Sequence, residues 1–466
     1  MISRLSLLLL AALAFTATAG AQPSPSITYV LRYSAVGSAL VHVCIALPEE
    51  PSSPQTLVMP RAVPMGYGER PYDTFVGNVA AFSAKGDALA VTREEGAPRW
   101  RVGRAVRIEY DVDLARMERQ ILSAADASKV RPGYTGILGY SVFAFLEGKE
   151  DRPIRLVVQA PLGWPVLSTL APEGGDLRAS NYYALADSQV AMGPKLRVLP
   201  IPLSGEVKFP FYLALYAEGP VEEEQIARLA GSAMEKIIAY FGSTPFPHYT
   251  VHVELLAPIS PEHQYFFSME HLDSASFYLG KQEGPLPEGR TRYNFAHHFA
   301  HAWMPKRCFG EGYFPFSWEL APLIDTVWFS EGFAQYAAIA ALASSEEERQ
   351  QMLERRFRST LRDAPAFLRR MNLRDLSLVA SSRYGADFRT GSNSFSRGGL
   401  MAAEMDDRIR ERTAGKKSLR DALRYLVEWS RKNQRAFKIE ELPVRFREAT
   451  GVDTQDILER WLKPLD

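Results

Sequence analysis

The sequence predicts an α+β protein in which an N-terminal antiparallel β domain is followed by a mixed α/β and then helical domain. From residue 26 to about 202, short runs rich in Val, Ile, Tyr and Leu are interrupted by Pro, Gly, Asn and Asp. This spacing is typical of an antiparallel sandwich or saddle. Beyond residue 290, apolar residues recur at helical intervals instead. The change in period predicts two architectures in one chain.

The first residues have the pattern of an export signal. Met1–Arg4 carry one positive charge, Leu5–Ala17 form an apolar run, and Ala19-Gly20-Ala21 is a small-x-small cleavage site. The run is too short to favour a permanent span, although an uncleaved anchor is the alternative. We therefore predict a signal peptide at 1–21 and a soluble, periplasmic or secreted mature chain without a membrane span.

Composition argues against a nucleic-acid partner but does not decide whether the cysteines form a disulfide. Basic and acidic residues balance at 54 each, which gives no support to a nucleic-acid partner. The chain has two cysteines, Cys44 and Cys308, whose separation the sequence does not give. Two unpaired, partly buried thiols are favoured over a bridge.

The N-terminal domain is predicted to span residues 22–219, and its strands come first in the chain. The clearest strand patterns are Thr28–Tyr33, Leu40–Leu47, Ala105–Val112 and Ile154–Gln159. Composition changes near Gly219-Pro220, which places the second domain at 220–466. The first element of that domain is a helix over Glu222–Phe241, because acidic residues in the first turn suit a helix N-terminus.

The rest of the second domain is predicted to contain two strands and a series of helices. Thr250–Leu256 alternates like a strand, and Phe266–Asp273 is a further strand placed at the sheet edge. The helical segments are 291–307, 326–343, 345–370, 397–413, 417–432 and 454–462.

A histidine cluster marks the candidate functional site. Five of the eight histidines fall within 263–301, and His297 and His301 are spaced i and i+4. On one helix, both imidazoles leave the same face and can share a divalent ion. Glu331 is the candidate third ligand, and two imidazoles with one carboxylate suit zinc. The alternative is that these histidines are ordinary core or surface residues.

At this point the sequence resembles the glycyl aminopeptidase family of gluzincin zinc metallopeptidases over nearly the whole mature chain. The motif His297-x-x-x-His301, followed thirty residues later by Glu331 in Trp-Phe-Ser-Glu-Gly-Phe, carries the resemblance most directly. Further similar segments are Met59–Phe75, Pro132–Leu170, Asn181–Ser188 and Ser268-Met269-Glu270-His271.

The resemblance implies a β domain packed on a thermolysin-like catalytic domain, with one zinc ion between its helices. His297, His301 and Glu331 would be the metal ligands. Glu270 occupies the position that holds the free amino end of a substrate in that family, so the implied partner is a peptide or protein N-terminus. A carboxylate there would pair with an ammonium group.

The sequence departs from the family pattern at three places. Helices of the H-E-x-x-H type carry a glutamate general base where this chain has His298, and Phe395 replaces a tyrosine. The sequence also ends at Asp466, so no C-terminal PDZ domain is expected. A general base contributes about 10²–10⁴-fold to such reactions. One oxyanion donor contributes about 10²–10³-fold, so we expect ordinary peptidase activity to be nearly abolished.

Three hypotheses follow. The first is an exported pseudo-peptidase that retains zinc and uses Glu270 to hold peptide amino ends or a partner. The second is an active zinc aminopeptidase with His298 as the catalytic base and another hydroxyl donor such as Tyr384. The third is a scaffold that has lost the metal.

Overall fold

The structure is a computed structural model of the chain. It describes residues 25–465 apart from 34–35, 64–65, 171, 174–175, 206, 264, 315 and 384–386. The predicted export signal and Tyr384 lie outside the described residues. Within them, no helix is long and apolar enough to cross a membrane.

The N-terminal part is built from three sheets and three short helices. The eight-stranded sheet has the order β14-β15-β12-β1-β2-β8-β4-β5, and the four-stranded sheets have the orders β13-β16-β10-β9 and β11-β3-β7-β6. The elements are β1 (Ile27–Arg32), β2 (Leu40–Ala46), β3 (Gln55–Val58), β4 (Val76–Phe82), β5 (Ala88–Leu89), β6 (Thr92–Arg93), β7 (Arg99–Gly103), β8 (Arg107–Asp113), α1 (Leu114–Gln120), β9 (Lys129–Arg131), β10 (Tyr134–Leu138), α2 (Gly139–Val142), β11 (Phe145–Leu146), β12 (Ile154–Gln159), β13 (Val166–Ser168), β14 (Pro172–Glu173), β15 (Asp176–Ala179), α3 (Tyr182–Ala186) and β16 (Gln189–Met192).

Alternation of apolar and polar residues explains the large sheet. Along β1 and β2 every second side chain is buried, with Tyr29, Leu31, Val43 and Ile45 in the core. The four strands predicted most clearly are present as β1, β2, β8 and β12. One pairing was not predicted: β1 lies parallel to β12. More than a hundred residues separate these strands, so no local turn motif predicts that they pair.

The second part contains a five-stranded mixed sheet of order β17-β18-β19-β21-β20. Its strands are β17 (Arg197–Pro200), β18 (Phe211–Ala217), β19 (Tyr249–Leu256), β20 (Phe266–Glu270) and β21 (Ser274–Gly280). The prediction of an edge strand is confirmed for β20. That strand ends at Glu270 instead of Asp273, because His271 N–H bonds to Ser274 O at 2.9 Å in the turn to β21. The first two strands of this sheet precede the boundary predicted at 219.

Helices cover the mixed sheet and complete the larger core. They are α4 (Glu223–Phe241), α5 (Glu288–Ala300), α6 (Ala334–Leu342), α7 (Glu346–Leu353), α8 (Ser359–Arg362), α9 (Ala366–Arg369), α10 (Leu373–Arg383), α11 (Phe388–Arg412), α12 (Leu419–Asn433), α13 (Leu442–Thr450) and α14 (Gln455–Leu462). The inner faces of α4, α5 and α6 share one apolar cluster with β18, β19 and β21. The fold is therefore the α+β arrangement that the sequence predicted.

Several helix boundaries differ from the prediction for local reasons. Helix α5 ends at Ala300 instead of residue 307, since Pro305 has no N–H to bond to the carbonyl of His301. The segment 345–370 is broken at residues 363–365, where Pro365 has no N–H to continue the ladder. Helix α11 begins at Phe388, nine residues before the predicted start. Helices α10 and α13 were not predicted at all.

Both cysteines are free, as the sequence favoured. Cys44 lies on β2, and Cys308 is buried and receives a hydrogen bond from the Ser430 hydroxyl at 3.4 Å. Burial raises the pKa of the Cys308 thiol to about 12. This thiol is therefore protonated at neutral pH and unsuited to act as a nucleophile.

Candidate metal centre

Helix α5 and the turn that follows it bring the histidines together. His297 and His298 lie in the last turn of α5, and His301 is its C-terminal cap residue. The Nε2 atoms of His297 and His301 are 2.9 Å apart, as expected for an i, i+4 pair on one helix face. His301 is fully buried, and its Nδ1 contacts the carbonyl of Met304 at 2.8 Å. That contact orients the ring so that Nε2 faces His297.

Glu331 approaches the histidines from a π-helical turn at Trp328–Phe333. Its Oε2 lies 3.3 Å from His297 Nε2 and 3.6 Å from His301 Nε2. A π turn holds one more residue than an α turn, so it changes the direction in which the following side chains point. The backbone of α11 packs directly against it: a Cβ on Gly332 would meet Gly399 N at 2.5 Å. Glycine at 332 is thus required for this close approach.

The buried imidazoles and carboxylates of the cluster shift one another's pKa values. Burial opposes ionisation of Glu331, but the neighbouring His301 and His297 hold its carboxyl pKa well below the ordinary value, at about 2. Burial also opposes charge on His301, yet the carboxylates of Glu270 and Glu331 raise its pKa above the ordinary range. Burial lowers the pKa of His297 to about 3, so that ring is neutral at pH 7 and has an available lone pair.

The donor set fits a zinc ion. Zinc–ligand bonds of about 2.0–2.1 Å in tetrahedral geometry separate neighbouring ligand atoms by about 3.3 Å. The three separations here are 2.9, 3.3 and 3.6 Å, so a single position can satisfy all three atoms. The contact of His301 Nδ1 with a backbone carbonyl is the support that ligating histidines commonly have.

Glu270 and His298 face each other beside this cluster. Glu270 is the last residue of β20 and is buried, and a carboxylate oxygen lies within 4.8 Å of donor atoms of His301 and Glu331. His298 Nδ1 is 3.5 Å from Glu270 Oε2, and its ring meets Phe277 edge-on with centroids 5.4 Å apart. The His298 imidazole is therefore directed toward the carboxylate at the end of the edge strand.

Phe395, which was predicted to replace a family tyrosine, lies beside the segment that leads to Glu331. Phe395 is on α11 and packs in a small apolar cluster with Tyr313, Ile324 and Val327. Tyr67 packs against the same cluster, and its hydroxyl donates to Glu331 Oε1 at 3.0 Å. The sequence did not single out Tyr67 as a site residue. Gln335, one turn after Glu331, accepts a hydrogen bond from the Tyr293 hydroxyl at 3.4 Å.

The fold and this donor cluster define a chain of the aminopeptidase-like metallopeptidase class. The family model of the peptidase M61 N-terminal domain matches residues 28–194, and that of M61 glycyl aminopeptidase matches residues 290–387. Together these matches span more than half of the sequence. The chain belongs to the M61 glycyl aminopeptidase family, as its motifs suggested.

Solved structures support the same fold. An aminopeptidase N family protein from Idiomarina loihiensis is 19% identical, with a TM-score of 0.79, and the match covers 94% of this chain and 76% of that one. The M1 zinc metallopeptidase from Deinococcus radiodurans is 16% identical, with a TM-score of 0.54 and coverage of 94% and 93%. At such identities the likeness shows the fold alone. No curated protein matches the sequence significantly.

Proposed function

We propose that this protein is an exported zinc-binding member of its family with lost or greatly reduced peptidase activity, and that it binds peptide amino ends or the N-terminus of a partner protein. The carrying observation is the pairing of His298 with Glu270 beside a complete set of candidate ligands. His298 Nδ1 lies 3.5 Å from Glu270 Oε2, while His297, His301 and Glu331 keep a geometry that suits a metal.

His297, His301 and Glu331 would hold the zinc ion, which in such sites polarises a carbonyl oxygen and activates water. Glu270 supplies a buried carboxylate next to those ligands. An ammonium group that enters this pocket finds a charge-assisted partner in Glu270 and lies beside the metal position. This recognition needs neither a general base nor an oxyanion donor, so binding does not depend on the two residues at which the sequence departs from the family pattern.

Turnover, in contrast, needs both missing groups. A glutamate at 298 would accept the proton of the attacking water, whereas the His298 ring lies 3.5 Å from the Glu270 carboxylate and packs edge-on against Phe277. Phe395 has no hydroxyl to donate to a developing oxyanion. Binding without efficient hydrolysis is the function that this combination supports best.

A second candidate is an active zinc aminopeptidase that uses His298 as its base. In its favour, a nitrogen of His298 lies within 4.8 Å of nitrogens of both His297 and His301, so the imidazole would lie beside the position that a zinc ion would take. Chelator-sensitive release of an N-terminal glycine or alanine that disappears in His298→Gln would support this candidate. Its absence across a broad pH range would reject it.

The binding proposal predicts that affinity depends on a free amino end and on Glu270. Calorimetry on protein with verified zinc content should detect a short peptide with N-terminal alanine, but not its N-acetylated form. Glu270→Gln should weaken binding by about tenfold or more, because a hydrogen bond to a charged group contributes about 1.5–3 kcal/mol. Equal affinity for the free and acetylated peptides would contradict the proposal.

Export is proposed from the pattern of residues 1–21. When the full sequence is expressed in a bacterium with a secretory system, the mature protein should appear outside the cytoplasm and begin at Gln22. Mass spectrometry of the intact exported protein and of its N-terminal peptide checks this. A protein that remains cytoplasmic with Met1 intact would show that the N-terminal segment is not a signal.

A further inference from the structure

Tyr67 connects the N-terminal part of the chain to the candidate metal centre. Its hydroxyl donates to Glu331 Oε1 at 3.0 Å, across 264 residues of sequence. The other oxygen of the same carboxylate, Oε2, is the one that faces His297 and His301. Both oxygens of Glu331 therefore have defined partners, and the N-terminal part supplies one of them.

The neighbouring hydroxyls fix the direction of this bond. Ser330 Oγ lies 3.4 Å from the Tyr67 hydroxyl and accepts a hydrogen bond from Tyr313 at 2.6 Å. Ser330 donates its own proton to the carbonyl of Val327 at 3.2 Å. Since the Ser330 proton is used within its own turn, the Tyr67 proton is directed to the carboxylate.

The segment around Tyr67 is anchored to the second part by backbone bonds. Gly68 N–H donates to Ser381 O at 2.6 Å, and the N–H groups of Arg61 and Ala62 donate to Trp318 O at 2.7 and 3.1 Å. The position of the phenol is thus set by contacts on both sides of it. A hydroxyl held in this way can restrict the rotation of a carboxylate.

We propose that Tyr67 is a positioning residue for the metal: it holds Glu331 so that Oε2 points toward the two imidazoles. Without the hydroxyl, the carboxylate can rotate and loses part of its orientation before the ion arrives. Metal affinity then depends on how the N-terminal segment sits against the second part. This inference rests on the proposed zinc site. In it, Tyr67 acts through Glu331 and does not contact the substrate.

The test is a competitive chelator titration with zinc alone on the full mature chain. Tyr67→Phe should raise the zinc Kd by about 10–100-fold, the usual effect of removing a group that orients a ligand. Tyr183→Phe is the matched control. Tyr183 packs against the same small cluster, and its buried hydroxyl has no hydrogen-bond partner among the described residues. Its loss should leave the zinc Kd unchanged.

The outcomes separate the inference from the proposed function. If wild type binds zinc and Tyr67→Phe binds it equally well, the positioning role is wrong while the metal site stands. If wild type binds no zinc, the site itself is wrong and the inference falls with it. The melting temperature of the metal-free proteins is a second readout. Should metal-free Tyr67→Phe melt well below wild type and bind zinc with wild-type Kd when folded, Tyr67 has only a structural role.

Discussion

The His298→Glu variant is expected to hydrolyse peptides with a free N-terminal glycine or alanine about 10²–10⁴ times faster than wild type, the range that a positioned general base contributes. A glutamate at this position supplies a carboxylate base in place of the imidazole that lies 3.5 Å from Glu270. The two carboxylates would then have separate roles, one binding the amino end and one accepting a proton. Initial rates at saturating peptide with zinc present measure the gain.

The size of the gain depends on Phe395 as well. Phe395→Tyr alone should give little activity, but the double variant should exceed His298→Glu by about 10²–10³-fold if the new hydroxyl reaches the oxyanion. His298→Gln is the control, since it changes the size and polarity of residue 298 without supplying a base. No gain in a zinc-loaded His298→Glu protein would mean that the machinery has further defects, and the proposed explanation for lost turnover would be wrong.

The proximity of the two histidines in the candidate metal centre was predictable because their spacing is local. His297 and His301 are four positions apart, and helix geometry alone brings their rings together. Glu331 was chosen from its motif, and its Oε2 lies 3.3 Å from His297 Nε2 and 3.6 Å from His301 Nε2. The π turn that carries it was not predicted, because an apolar pattern with one extra residue is hard to distinguish from an ordinary helix.

Tyr67 shows the limit of the same reasoning. Nothing in the local pattern around residue 67 distinguishes a phenol that reaches a ligand from one that fills a core. Its partner is 264 residues away, and the contact exists only after two parts of the chain have packed together. The parallel pair β1 and β12 was missed for the same reason. Sequence periods report which face of an element is buried, but they do not report what it is buried against.

A buried charge cluster centred on Asp187 connects the N-terminal part to the region of the candidate metal centre. Asp187 caps α3, and its Oδ1 lies 3.0 Å from Lys306 Nζ and 3.3 Å from His271 Nδ1. Its Oδ2 accepts a hydrogen bond from Leu272 N–H at 2.6 Å. The side chains of Asp187, Lys306 and His271 are each only 1% exposed. The cluster therefore fixes the turn after Glu270 and the segment after His301 against α3.

Asp187→Asn is expected to lower the free energy of unfolding by about 3–5 kcal/mol, because it removes the buried carboxylate that pairs with the Lys306 ammonium at 3.0 Å. Urea unfolding at pH 7 measures this loss. Asp176→Asn is the control: Asp176 pairs with Arg155 at 2.8 Å on the surface, where solvent screens the interaction, so its loss should be much smaller. Equal losses in the two variants would show that the buried cluster does not stabilise the fold in this way.

The same cluster predicts a pH dependence with a defined sign. Burial opposes ionisation of Asp187, but Lys306 and His271 hold its carboxyl pKa below the ordinary value. A depressed pKa in the folded state stabilises the protein at neutral pH, and this contribution disappears as the pH falls below about 4, through the folded-state pKa. Asp187→Asn should therefore lose less stability than wild type between neutral and acidic pH. If the free energies of unfolding of the two proteins fell in parallel with decreasing pH, Asp187 would not be the group responsible for this pH dependence.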